Sequence, residues 1–375
     1  MEMRRGGDER KKMKKKVGFI NIHKTLFAIF LLLAASVGLF IGIALCCLIP
    51  FISDTEIAGG ETQENTDGAG VYTIKDEDLI TVGFSQIGSE SQWRTANTAS
   101  IQNALTKEKG YFLIYNNARQ KQENQIKVIR SFISQQVDYI VFAPIAEDGW
   151  DTVLLEAEQA GIPVILVDRK IDSPSLSYFT TWVGADTRQE GEEAALWLEN
   201  YLQEKGREEE EIRILALEGT AGSSSQEGRS EGFDLIAKKH KNWTVLERQD
   251  ADFTNSRAKE IMEGYIEKYD DFDVVLSQND DMTFGAIEAM QEAGISIGED
   301  GDVVVISFDA TREGLQMVQD GLILVDVECN PLQGEKVEEV IRKLERGELV
   351  QKFNRVEENV FTQENVDEFI DQRRY

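Results

Sequence analysis

The chain has 375 residues, 41% of them apolar and 29% charged; that length predicts two folded domains and the composition is globular. The net charge of −28 is unevenly spread: residues 1–25 carry +6, so the remainder carries −34, which repels nucleic acid and excludes DNA binding by the main body. Two histidines, His23 and His240, and three cysteines, Cys46, Cys47 and Cys329, exclude a His-based metal site, a Cys₄ zinc site and a disulfide framework.

Taken in chain order, the first feature is a basic segment over residues 1–25. Leu26 to Ile49 follows without a charge, and as a helix at about 1.5 Å per residue it is long enough to span a bilayer. The positive-inside rule keeps 1–25 cytoplasmic and sends everything after Pro50 outside. The apolar run is too long for a typical signal peptide and no small-residue cleavage site follows it. Leu45 precedes Cys46 where a lipoprotein signal wants a small residue. A retained single-pass anchor at 26–49 is therefore the expectation, favoured over a lipoprotein or a cleaved signal. Residues 50–78, rich in Gly, Thr, Asp and Glu, read as a flexible linker.

Beyond Leu79 one pattern repeats: a short apolar run rich in β-branched residues, a polar turn, then a helix-period stretch. Strands are expected at 79–85, 111–117, 139–145, 162–168, 212–219, 244–249, 273–278 and 303–309. Between them lie helical stretches carrying Trp93 to Leu105, Ile126 to Val137, and residues 189–204, 228–240, 255–268 and 283–293. Such alternation implies an α/β fold with two doubly wound parallel sheets, one per domain.

In such sheets ligands bind beyond the carboxyl ends of the strands. The segments there include SQIGSESQWR, NNARQKQENQ, DRKID and QNDD. They are polar, rich in planar groups, and lack the GxGxxG and GxxxxGK[ST] phosphate loops, so no nucleotide cofactor is indicated. No metal or other cofactor is expected. Arg forks, Asp oxygen pairs and Asn amides match neighbouring hydroxyls, and an indole face matches the C–H side of a sugar ring. A neutral polyhydroxylated ligand fits this set.

VGFSQIGSESQWR, QKQENQIKVIRSFISQQVD, VDRKID, DADFTNSRAKEIME and QNDDM, in this order, resemble the periplasmic sugar-binding family of ABC importers, most closely its galactofuranose-binding branch. The resemblance implies a type I solute-binding fold with three hinge crossovers, placed near Val183, Asp309 and Val356. The N-terminal lobe is then 79–182 plus 310–355 and the C-terminal lobe 183–309 plus 356–375. The ligand contacts carried across are Glu90, Trp93, Arg94, Asp168, Arg169, Arg229, Asn279 and Asp309. Trp93 is expected to stack, Arg94 and Arg169 to donate, Asp168 and Asp309 to accept, and Arg229 and Asn279 to clamp. Ala310 stands where the family usually carries Gly. The implied function is sugar capture outside the membrane by a monomer that delivers a monosaccharide to an ABC permease. A sugar-sensing ectodomain signalling to a histidine kinase or chemoreceptor is the alternative.

Enzymatic action is not expected, because Arg169 beside Asp168 spoils a carboxylate acid and base pair. An Asp168–Arg169 surface pair, core packing by Trp150 and a plain buried role for Cys329 compete with functional readings. Asp280 or Asp281 is expected to cap the following helix and leave Asn279 free.

Overall fold

The computed structural model describes residues 78–172, 176–299 and 301–375. The anchor expected at 26–49 lies outside them. Among the described residues no helix is long and apolar enough to cross a membrane.

Strands β1 (Ile80–Gln86), β2 (Tyr111–Asn117), β3 (Tyr139–Phe142), β4 (Val164–Val167) and β5 (Thr181–Gly184) alternate with helices α1 (Gln92–Ala104), α2 (Gln122–Ser134) and α3 (Asp151–Gln159). The pattern resumes with α4 (Thr187–Glu204), β6 (Ile212–Glu218), α5 (Ser224–Ala237), β7 (Trp243–Asp250), α6 (Asn255–Lys268), β8 (Val274–Ser277), α7 (Asp280–Glu292), β9 (Val304–Asp309), α8 (Arg312–Gln319) and β10 (Val325–Glu328). Helix α9 (Gly334–Glu345) and the short strands β11 (Phe353–Arg355) and β12 (Val360–Phe361) complete the order.

The strands form two six-stranded sheets of the same winding, β2-β1-β3-β4-β5-β11 and β7-β6-β8-β9-β10-β12. Every pairing is parallel except the last, where β12 runs antiparallel to β10. The central strands are buried along their whole length, as in YIVF, VILV, VVLS and VVISFD, because helices cover both faces of a parallel sheet. Each sheet therefore has two apolar layers. Phe84, Ile101 and Val141 pack on one face of the first sheet, and Phe142, Trp150 and Trp182 on the other. Trp150 is core, packed 5.0 Å from Phe142 and donating its indole N–H to the Ala146 carbonyl.

The topology corrects the expected lobe boundaries. β10 pairs with β9, so residues 310–328 stay with the second sheet and the chain does not cross at Asp309. The crossings fall between β5 and α4, between β10 and α9, and between β11 and β12. The reason is local: β10 reads VDVE, with acids at alternate positions that break an apolar run, yet all four residues are buried. Asp326 accepts from the Ala310 amide at 3.0 Å, which stitches β10 to the end of β9. After the second crossing, α9 docks on α1, the Gly334 amide donating to Ser100 Oγ at 2.9 Å. A Cβ on Gly334 would meet the Ser100 carbonyl at 2.1 Å, so only glycine permits this approach.

Candidate functional site

The polar ends of β1 and β4 build the first half of the site. Ser91 caps α1 by accepting from the Arg94 amide at 3.0 Å, and the cap sets Trp93 and Arg94 in the first helical turn. Arg94 is buried, with Nε 2.9 Å from Glu90 Oε1 and Nη2 2.7 Å from Asp168 Oδ2. Burial opposes its charge, but Asp168 and Glu90 outweigh that and hold its pKa above the usual arginine value. The ion partner of Asp168 is thus Arg94, and the pair is buried, so the competing reading of Asp168 and Arg169 as a surface pair does not hold. Asp168 has φ 61°, a left-handed turn that redirects the chain as it leaves β4. Arg169 sends Nη1 to the Ile145 carbonyl at 2.8 Å and lies 5.3 Å over the Phe253 ring. Burial, with Arg94 adding, pushes its pKa down to about 10.

The second half depends on how closely α4 and α5 pack. A Cβ on Gly191 would fall 2.2 Å from the Arg229 carbonyl, and one on Gly232 would fall 2.0 Å from that of Arg188. Two glycines therefore let the helix backbones touch, and this sets Glu190 against Arg229 at 2.7 Å. Arg229 also donates to the Gln278 carbonyl and to Asp309 Oδ1 at 3.3 Å. Every arm of this guanidinium is held by protein. Asp309 sits at φ 106° and Ala310 at φ 52°, so the glycine usual after this Asp would relieve a strained position. Burial pushes the Asp309 carboxyl well above the usual range, with Arg229 opposing. Asn279 is not free as expected: its Oδ1 caps α7 by accepting from the Met282 amide at 3.0 Å. Asp280 turns inward instead, to Ser307 and Thr311.

Glu90, Trp93, Arg94, Asp168, Arg169, Arg229, Asn279 and Asp309 all line one cavity, together with Ser91, Ser225, Phe253 and Cys329. It holds about 300 Å³ of empty space, mouth included. Interlobe hydrogen bonds close it: Glu147 N to the Gly222 carbonyl at 3.1 Å, Lys170 N to Ser224 Oγ at 2.7 Å, and Gln92 N to Asp281 Oδ2 at 3.1 Å. Trp93 donates its indole N–H to the Cys329 carbonyl and carries Arg94 at 4.7 Å over its ring. Three buried atoms of the lining residues have no hydrogen-bond partner, Glu90 Oε2, Arg169 Nε and Asp168 Oδ2; the last is ion-paired with Arg94, which leaves Glu90 Oε2 and Arg169 Nε unmet. Phe253, at φ 56° just beyond β7, and Cys329, just beyond β10, obey the same strand-end rule as the rest. Phe253 lies in the DADFTN stretch and was recognisable by that rule; Cys329 was hidden because β10 did not read as a strand.

The family model of the periplasmic binding protein domain matches residues 82–347. The chain belongs to the periplasmic binding protein family. Among its relatives, the galactofuranose-binding protein YtfQ of Escherichia coli (strain K12) is 34% identical over 79% of this chain and 92% of its own length. A Mycobacterium smegmatis structure in complex with β-D-fucofuranose is 39% identical with a TM-score of 0.73, covering 77% of this chain and 93% of its own. The periplasmic binding protein component of the arabinose ABC transporter from Shewanella sp. ANA-3, bound to α- and β-L-arabinofuranose, is 36% identical with a TM-score of 0.73, covering 78% and 95%. The Escherichia coli and Shewanella relatives are binding proteins rather than enzymes.

Proposed function

We propose that this periplasmic binding protein is the extracytoplasmic sugar-binding component of an ABC importer, working as a monomer and closing on one neutral monosaccharide in its five-membered-ring form. The observation that carries the reading is the pair of unmet buried groups, Glu90 Oε2 and Arg169 Nε, in a closed cavity whose charges nearly balance. A buried acceptor and a buried donor without partners are costly unless a ligand hydroxyl and a ligand oxygen satisfy them. Arg94 and Arg229 pair with Glu90, Asp168, Glu190 and Asp309, Arg169 lines the cavity beside them, and burial drives Asp309 toward its neutral form. An uncharged ligand suits that balance, whereas a sugar phosphate or sugar acid would carry an unpaired charge into it. Trp93 and Phe253 supply the apolar walls, and Asn279 retains its amide N–H groups to donate. The furanose form follows from the ligands of the relatives bound to β-D-fucofuranose and L-arabinofuranose.

Catalysis is no part of this proposal, since Asp168 is committed to Arg94. The sensor alternative has weaker support. The fructose-binding domain of a hybrid two-component system is 23% identical, a likeness that extends to the fold alone. The uncharged run 26–49 supports a membrane tether with residues 50–78 as its spacer; retention of the full chain in the membrane fraction after an alkaline wash checks it, and a soluble, shortened product would refute it. The ligand is tested by calorimetry of the full chain against pentoses, hexoses and the corresponding sugar acids. Binding near micromolar, about −8 kcal/mol, is expected for a sugar rich in furanose form, and tighter binding of the acid would overturn the reading.

A further inference from the structure

Each of the three interlobe segments brings one ionisable group to a common point. Glu190 lies in the first turn of α4, just after the first crossing; Cys329 follows β10 in the second; Glu358 lies between β11 and β12 in the third. One ligand atom from each falls within 4.8 Å of the others. We propose that Glu190, Cys329 and Glu358 form a site for a single thiophilic divalent cation, Zn²⁺ or Cd²⁺, at the hinge.

Three observations beyond proximity point to a ligand. Glu190 is 1% exposed, and while its Oε2 is taken by Arg229, its Oε1 is buried and has no partner outside the cluster, where it faces the Cys329 thiol. Glu358 accepts the Asn330 amide at 2.9 Å through Oε1, so each carboxylate has one oxygen oriented by an outer donor, the arrangement that fixes ligands in metal sites. Metal–ligand bonds of about 2.0–2.3 Å set ligand atoms about 3.3–3.8 Å apart, so from separations of at most 4.8 Å the cluster contracts by no more than about 1.5 Å. Charge also balances. Two carboxylates and a thiolate sum to −3, and a divalent cation together with Arg229 returns the cluster to neutrality, as two protons otherwise would. The thiolate selects a soft cation over Mg²⁺ or Ca²⁺. Glu358 is only partly buried and offers the route in. A cation there pins together the three segments whose rotation separates the lobes.

The test uses the full chain carrying C46S and C47S, so that Cys329 is the remaining thiol, stripped with chelator and titrated with Cd²⁺. The expected result is an ultraviolet thiolate-to-cadmium charge-transfer band saturating at one equivalent, absent with Mg²⁺ and absent after C329S. E358Q keeps the thiol and is expected to weaken Cd²⁺ affinity at least tenfold. Circular dichroism checks that both variants are folded. No band, or a band whose affinity E358Q leaves unchanged, would overturn the proposal. Because no sugar enters the experiment, its failure leaves the reading of the cleft standing.

Discussion

The two halves of the cleft use the same chemistry in opposite ways. In the second lobe Arg229 is saturated by Glu190, the Gln278 carbonyl and Asp309, and its helix is locked to α4 by the glycine contacts at Gly191 and Gly232. In the first lobe Arg94 is similarly held, but Glu90 and Arg169 each keep one buried group unmet. A saturated ion pair is architecture, whereas an unmet donor or acceptor is capacity to bind. On the proposed reading the second lobe thus presents a largely preset wall with the Asn279 amide as its free donor, and the first offers the other unmet groups, Glu90 Oε2 and Arg169 Nε.

The sharpest way to break this contrast is Arg229→Ala. It strands Glu190 and Asp309 as buried acids without their cation, so about 3–5 kcal/mol of stability should be lost, read by denaturant unfolding with and without sugar. Arg169→Ala removes a donor from the other half. It should weaken sugar binding by about tenfold or more while unfolding shifts little, and calorimetry that finds wild-type affinity would remove Arg169 from the site.

A smaller effect belongs to the lips of the cleft. Burial, with the hydrogen-bonded Glu227 of the opposite lobe and nearby Asp172 and Glu231, pushes the Glu147 carboxyl up to about 7. Glu227 reaches it only when the lobes are together, so the closed state holds the proton more tightly than the open one. Closure should therefore be weakest above about pH 7, strengthen as pH falls through that value, and level off once the open state is protonated too. Dissociation constants measured from pH 8 to pH 5 should fall several-fold, and E227Q should flatten the profile; an unchanged slope in E227Q would assign it elsewhere. The least effect is expected at Ala310, whose φ of 52° is eased by glycine. Ala310→Gly should add about 0.5–1 kcal/mol of stability, seen as a raised midpoint in urea.

How legible each part was follows from how local its cause is. The strands at 139–142 and 164–167 and their helices could be read because an apolar run and a 3.6-residue period are properties of neighbours in sequence. The eight site residues that the family resemblance implied share a cavity, and those at strand ends do so because in a doubly wound sheet the carboxyl end of a strand faces the crevice. β10 escaped notice because its buried acids Asp326 and Glu328 look like surface until their partners are known. The cap on α7 was misplaced for the same reason, since only the inward hydrogen bonds of Asp280 to Ser307 and Thr311 leave Asn279 to cap.

From residue order alone came the two-sheet plan, the apolar run near the amino end and the polar segments beyond the strand ends, all set by contacts within a few residues. Partnership across long stretches of chain was decided only in three dimensions. Asp168 took Arg94 as its partner rather than the Arg169 beside it in sequence, Arg229 met Glu190 through two glycines, and residues 310–328 stayed with the second lobe. Charge pairing and burial depend on distance in space, which the order of residues does not carry.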